Sequence, residues 1–171
     1  MRGFGVVRVV AIIAAVLTLF ALTIPPFMQM TRRARTVEAV DRLAEIYRGS
    51  VAYYTGTRAT QSLAPVIPPR QFPISVGITP ATVPAGARAI DPAGTWRQPT
   101  WQALNFAIED PHYFSYQYES DGSGPTATFT ARALGDLDGN GVRSTFERGG
   151  HANAQLEIES TGGLWVREPV E

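Results

Sequence analysis

The 171-residue chain contains no cysteine, so disulfides, thiolate nucleophiles, zinc-thiolate sites and iron-sulfur clusters are excluded. It also lacks lysine. All 15 basic residues are arginine, and 15 acidic residues balance them to a formal net charge of zero. Without clustered cations there is no field to draw in a polyanion, which argues against a dedicated DNA or RNA binder. Histidine is scarce: His112 and His151 are the only two, and neither stands in a motif that contains a nucleophile. Asp110, His112 and Ser115 are close in sequence, but a triad is defined by spatial geometry, so no enzyme is expected. Both histidines are read as surface or turn residues. No glycine-rich loop suited to cradling phosphate is present.

What the chain does have is unevenly distributed. Residues 9–24 read VVAIIAAVLTLFALTI, interrupted only by Thr18 and Thr23. As a helix this run spans about 24 Å, short of the ~30 Å hydrocarbon core of a bilayer, so Phe27, Met28 and the residues before Arg8 must contribute. Ala21 and Thr23 form a poor cleavage site and Pro25 and Pro26 follow, so the run reads as a retained membrane helix over residues 4–27 rather than a cleaved signal. The two prolines predict a bend or local melting where the membrane part ends. Val37, Val40, Ala44, Tyr47, Val51 and Tyr54 then recur at spacings of three and four, predicting an amphipathic helix over residues 28–55.

Eight of the 13 prolines lie between Pro65 and Pro99, which excludes a long helix there and leaves room for one short strand over residues 74–78. Residues 101–108 read as a short helix or strand. Phe114, Tyr116 and Tyr118 alternate, as in a half-buried strand, and Asp121 to Pro125 turn the chain into a second strand over residues 126–133. Further strands are expected at residues 155–159 and 164–167. The fold class is therefore α+β: a long N-terminal helix, membrane half plus amphipathic half, packed on a small antiparallel β-sheet. Trp96, Trp101 and Trp165 read as core or sheet-face residues.

One loop carries recognisable chemistry. Residues 136–147 read DLDGNGVRSTFE and match the twelve-residue calcium-loop pattern D-x-[DN]-x-[DN]-G-x5-E. Asp136, Asp138 and Asn140 would supply side-chain oxygens, Val142 its carbonyl, and Glu147 would close the shell around Ca2+, with Gly141 allowing the sharp turn. The flanks read as strand and glycine rather than helix, so the expectation is a strand-connected structural calcium site, not an EF-hand. In a cysteine-free head such a site would act as a staple.

The amino terminus resembles type IV pilins and the related pseudopilins of type II secretion. Gly3 and Phe4 match the glycine and first mature residue at the prepilin peptidase cut, the apolar run follows directly, and Pro25 falls at the family's proline. Later features are similar to a pilin head: the Tyr53, Tyr54 pair, FP at Phe72 and Pro73, TP at Thr79 and Pro80, and GDLDGNG followed by STFE. The resemblance implies a three-residue leader, a stem over residues 4–55 and a loop-rich head over residues 56–171, a pilin-like architecture. It further implies a structural filament subunit anchored in the bacterial inner membrane before assembly, single-pass with its head periplasmic. Its partners would be other pilin or pseudopilin subunits, the prepilin peptidase, the inner-membrane assembly platform and membrane lipid, with no nucleic acid.

One departure from the family bears on assembly. Members usually carry glutamate as the fifth mature residue, where its carboxylate neutralises the terminal amine of the neighbouring subunit; this chain has Arg8. Two cations together in lipid are costly unless they reach the interface, so Arg8 points to a minor or tip subunit rather than a self-stacking one. Counting arginines, Arg2 before the apolar run against Arg32, Arg33 and Arg35 after it, favours the opposite orientation to the family's. The alternative function is a non-polymerising, membrane-anchored periplasmic module that binds calcium.

Overall fold

The computed structural model describes residues 3–56 and 69–169; within the first helix, the side chains at positions 3, 4, 6, 7, 20 and 22–33 lie outside the described set. The elements run α1 (Gly3–Gly56), β1 (Val76–Thr79), α2 (Pro99–Ala103), β2 (Phe114–Asp121), a 3-10 turn (Gly124–Thr126), β3 (Thr128–Gly135), β4 (Ser144–Ala152), β5 (Ile158–Ser160) and β6 (Trp165–Arg167). All pairings among the named strands are antiparallel, in the order β1-β2-β3-β4-β5, with β6 also paired to β4.

Period-two alternation explains the sheet. On β2, Phe114, Tyr116 and Tyr118 turn to one face, and on β3 Phe129, Ala131 and Ala133 do the same. The small alanines leave room for α1, which lies across this face on β3 and β4. Tyr54, Phe72, Phe129 and Tyr118 form one aromatic cluster, with Phe72 and Phe129 ring centroids 4.7 Å apart. Trp96, Trp101, Phe106 and Tyr116 form a second, with neighbouring centroids 5.3 to 5.5 Å apart. Such ring pairs stabilise beyond their buried area. The strands thus fall close to the expected positions, but six of them form the sheet.

The buried stripe of α1 is Ala39, Leu43, Ile46, Ser50 and Tyr54; of the expected set Val37, Val40, Ala44, Tyr47, Val51 and Tyr54, Tyr54 is buried and Tyr47 packs against the core, but Val37 and Val40 are exposed, so the stripe is rotated at its start. Gly49 accounts for the rotation. A Cβ there would stand 2.4 Å from the Leu104 carbonyl oxygen, so only glycine lets the backbone after α2 approach the helix. Ser50 is admitted to the core because its hydroxyl donates to the Ile46 carbonyl at 2.8 Å and accepts from the Tyr118 hydroxyl at 3.0 Å.

The helical half of the expected fold is corrected. Among the described residues no helix is long and apolar enough to cross a membrane. The expected architecture, a pilin-like stem whose first half is a membrane span, is therefore not the one observed. The backbone is helical at positions 25 and 26, so no melted joint separates two half-stems. Proline is tolerated there as far as backbone assignment goes, although each ring removes one donor from the helix.

Candidate functional site

Two features of the sequence carry functional weight, the amino-terminal apolar helix and the loop after β3. In the first, Val9, Val10, Ile12, Ile13, Val16, Leu17 and Leu19 are each between 42% and 65% exposed. At 100° per residue these seven positions span one half of the circumference, and the other half carries the exposed Arg8, Ala11, Ala14, Ala15 and Thr18. Thr18, the one polar side chain within, donates to the Ala14 carbonyl at 2.8 Å and so satisfies itself inside its own helix. Arg8 is exposed at the start of this segment. Gly3, Phe4 and Pro25 have helical backbone, but the side chains of Phe4 and Pro25 lie outside the described residues.

The loop after β3 is wound on its own side chains. The Asp136 carboxylate accepts from the Gly139 amide at 2.7 Å and from the Gly141 amide at 3.0 Å. Asp138 accepts from the Asn140 amide at 3.1 Å, and the Asn140 side-chain oxygen accepts from the Val142 amide at 2.6 Å. Gly139 and Gly141 take φ of 78° and 89°, a left-handed conformation that side chains resist, which is why this winding needs them. Leu137 anchors the loop in the core, the Leu137 carbonyl accepts from Arg35 of α1 at 3.1 Å, and the Gly86 amide donates to the Asp136 carbonyl at 2.7 Å.

Asp136, Asp138 and Asn140 are thus brought together, with Val142 at the exposed end of the loop. Glu147 is not brought with them. It lies on β4 opposite Arg132, three register positions beyond the Gly135 and Ser144 pair where the loop begins. There it accepts from Arg132 Nε at 2.7 Å, while Glu119 takes Arg132 Nη1 at the same distance, a three-strand ladder on the outer face of the sheet. Burial works against the charged Arg132 guanidinium, yet hydrogen bonds to Glu147 and Glu119 more than offset it and raise its pKa above the ordinary value. Calcium requires six to eight oxygens; Asp136, Asp138 and Asn140 would offer side-chain oxygens here, since a carboxylate that accepts an amide keeps free lone pairs, whereas Glu147 is engaged with Arg132 and does not join them. Among the described residues no cluster of three or more His, Asp or Glu side chains is placed to hold a metal.

His112 is buried rather than at the surface, and the reason is local pairing. Its backbone bridges to Ala89, its Nε2 stands 3.5 Å from Asp91 Oδ2, and its Nδ1 is 3.2 Å from the Asp110 carbonyl. Asp91 also accepts from Trp96 Nε1 at 2.8 Å. Asp110 contributes only its backbone carbonyl, and the Ser115 hydroxyl is buried without a hydrogen bond, so the three sequence neighbours do not converge as a triad. His151 is half-buried, 3.8 Å from Glu159. Trp96 and Trp101 are core residues, whereas Trp165 on β6 is exposed.

Sequence reasoning had no signal for the Asp91 to His112 contact, because 21 positions and a loop separate the partners. The ladder of Glu119, Arg132 and Glu147 was legible only once the register was known. Comparison with family models, curated proteins and solved structures gives no match.

Proposed function

We propose that the chain is a structural subunit of a type IV pilus or type II secretion filament, pilin-like or pseudopilin, held at the bacterial inner membrane with its head periplasmic before assembly. The observation that carries this reading is the row of exposed Val, Ile and Leu side chains from Val9 to Leu19, while the core of the head draws on α1 only from Ala39 onward. Each half-exposed Val, Ile or Leu gains roughly 1 kcal/mol when it is covered, so this half of the helix favours an apolar neighbour. Lipid supplies that before assembly, and the helices of sibling subunits supply it afterwards. In lipid the exchange is driven by packing and not by water exclusion, which keeps it reversible.

Arg8 limits the position of the subunit. A cation where the family carries glutamate suits a subunit with no neighbour above it, so a minor or tip placement follows. The prepilin peptidase would release the mature chain between Gly3 and Phe4, and the assembly platform would extract it.

The test is mass spectrometry of the native protein from membrane and sheared-filament fractions. A mature chain beginning at Phe4 in sheared filaments is the expected result. Protein that keeps Met1 and stays in the membrane overturns the proposal in favour of a non-polymerising periplasmic module. Arg8→Glu is expected to leave assembly intact or improve it; loss of assembly would exclude tip placement.

A further inference from the structure

The chain has two Asp-Pro bonds, Asp91 to Pro92 and Asp110 to Pro111. A bond of this kind is labile to attack from within. The aspartate carboxylate reaches its own main-chain carbonyl carbon by closing a five-membered ring, and proline, having no N–H, cannot enter the competing route in which the next amide attacks the side chain. The tertiary proline nitrogen also leaves more readily than an ordinary amide nitrogen. In this fold the two bonds stand in different surroundings.

The Asp91 carboxylate is buried and engaged: its Oδ2 accepts from Trp96 Nε1 at 2.8 Å and stands 3.5 Å from His112 Nε2. Asp110 and Pro111 are exposed, and among the described residues the Asp110 carboxylate makes no hydrogen bond or ion pair. The Asp110 carbonyl oxygen, by contrast, lies 3.2 Å from Nδ1 of the buried His112. A carbonyl oxygen only accepts, so Nδ1 carries the proton in that bond. The ring is held in place, with Trp96 edge-on at a centroid distance of 6.3 Å and the His112 backbone paired with Ala89 in both directions, at 3.0 and 2.9 Å. Ile108 is buried on the other side of the bond. A free carboxylate, a polarised carbonyl and a pinned backbone therefore meet at one peptide bond, an arrangement that removes much of the entropic cost of reaction.

We propose that the head cuts its own backbone between Asp110 and Pro111. One Oδ of Asp110 bonds to the Asp110 carbonyl carbon, and the displaced electron pair moves onto the carbonyl oxygen, where the His112 Nδ1–H stabilises it as an oxyanion donor does in acyl transfer. The pair returns as the C–N bond to Pro111 breaks, and the proline nitrogen takes a proton from water. The hydroxide so formed opens the cyclic anhydride to two carboxyl groups, so that one water is consumed in all. Because β1 precedes the cut and pairs with β2 beyond it, and α1 packs on β3 and β4, the two pieces stay assembled after cleavage. The inference is independent of the filament reading.

The experiment holds the full chain in a zwitterionic detergent with protease inhibitors at neutral pH for several days, and reads it by denaturing gel and intact mass. The expected products are a piece ending at Asp110 and a piece of residues 111–171, together one water heavier than the parent, formed at a rate independent of protein concentration and with the Asp91 to Pro92 bond whole. In heavy-oxygen water the label should enter the Asp110 side-chain carboxyl as well as the new terminus, since an anhydride opens at either carbonyl and a protease labels the terminus alone. Asp110→Ala should abolish the cut, and Asp110→Glu, which must close a six-membered ring, should slow it roughly tenfold or more. Both should keep the melting temperature, because the side chain is exposed. His112→Phe keeps a ring beside Trp96 and removes the donor, and should slow the cut by about a hundredfold. Concentrated urea, which takes the histidine away from the carbonyl, should slow it at least as much. Absence of the two pieces, equal cutting after Asp91, label confined to the new terminus, or an unchanged rate in Asp110→Ala or His112→Phe would each overturn the proposal. None of these outcomes bears on where the mature chain begins.

Discussion

The two ends of α1 use aliphatic side chains in opposite ways. From Ala39 to Tyr54 the helix buries one stripe, Ala39, Leu43, Ile46 and Tyr54, against a sheet face of alanines and aromatic rings, and leaves its remaining faces wet. Over residues 9–19 the large aliphatic groups also keep to one half of the circumference, but they are exposed, and no described residue of the head covers them. The difference teaches that a one-sided apolar pattern does not by itself mark a helix face packed on its own domain. A face left uncovered takes its cover from outside the domain.

The sharpest way to break this contrast is to shorten one side chain at each end. Leu43→Ala removes a fully buried side chain and is expected to lower stability by about 2–5 kcal/mol, a transfer term plus a cavity term. Leu17→Ala, at a 63% exposed position, should change it by no more than about 0.5 kcal/mol while reducing recovery in filaments. Chemical denaturation of both variants, set beside sheared-filament yield, checks the pair. Equal stability losses would erase the distinction between the two ends.

Much of the head was legible from the sequence, and the misses have physical causes. The Phe114, Tyr116 and Tyr118 alternation located β2, and the Asp121 to Pro125 turn located its partner, because side chains there follow the pleat without exception. β4 was hidden by Gly149 and Gly150, which read as a break. In the sheet they make room for Phe129: a Cβ on Gly150 would stand 2.8 Å from its ring, and one on Gly149 would stand 2.9 Å from its carbonyl oxygen. The rotated stripe of α1 was hidden in the same manner by Gly49. Close backbone approach leaves no hydrophobic signature, so a glycine that enables it looks like punctuation.

Alkali should separate the two ends next, because the buried phenols Tyr54, Tyr116 and Tyr118 all lie in the packed core and none in residues 8–19. Burial pushes the pKa of Tyr116 well above the ordinary value of 10.0, and that of Tyr118 upward as well despite the opposing bond to Ser50. A raised folded-state value means that the stability tied to the neutral phenols is complete below pH 10 and is lost as pH climbs from 10 toward the folded value. Tyrosinate absorbance of these two residues should therefore appear only together with loss of near-ultraviolet dichroism. Tyr118→Phe should reduce the alkaline loss. Full ionisation of all six tyrosines in an intact head would contradict this burial.

The smallest expected effect concerns the loop, where the side chains and the backbone have already satisfied one another. Glu147 holds Arg132, so a calcium ion would have to do without the closing carboxylate or recruit it across three register positions. An ion that binds near its dissociation constant adds only RT ln 2, about 0.4 kcal/mol, or roughly 1 °C in a head of this size. Millimolar calcium is accordingly expected to raise the melting temperature by no more than about 1 °C, and Asp138→Ala to leave that response unchanged. Differential scanning fluorimetry of the full chain in a zwitterionic detergent measures both. A rise of several degrees that Asp138→Ala abolishes would mean that the ladder opens and Glu147 swings to the loop. Arg132→Met should then enlarge the rise, because it frees the carboxylate that the ladder withholds.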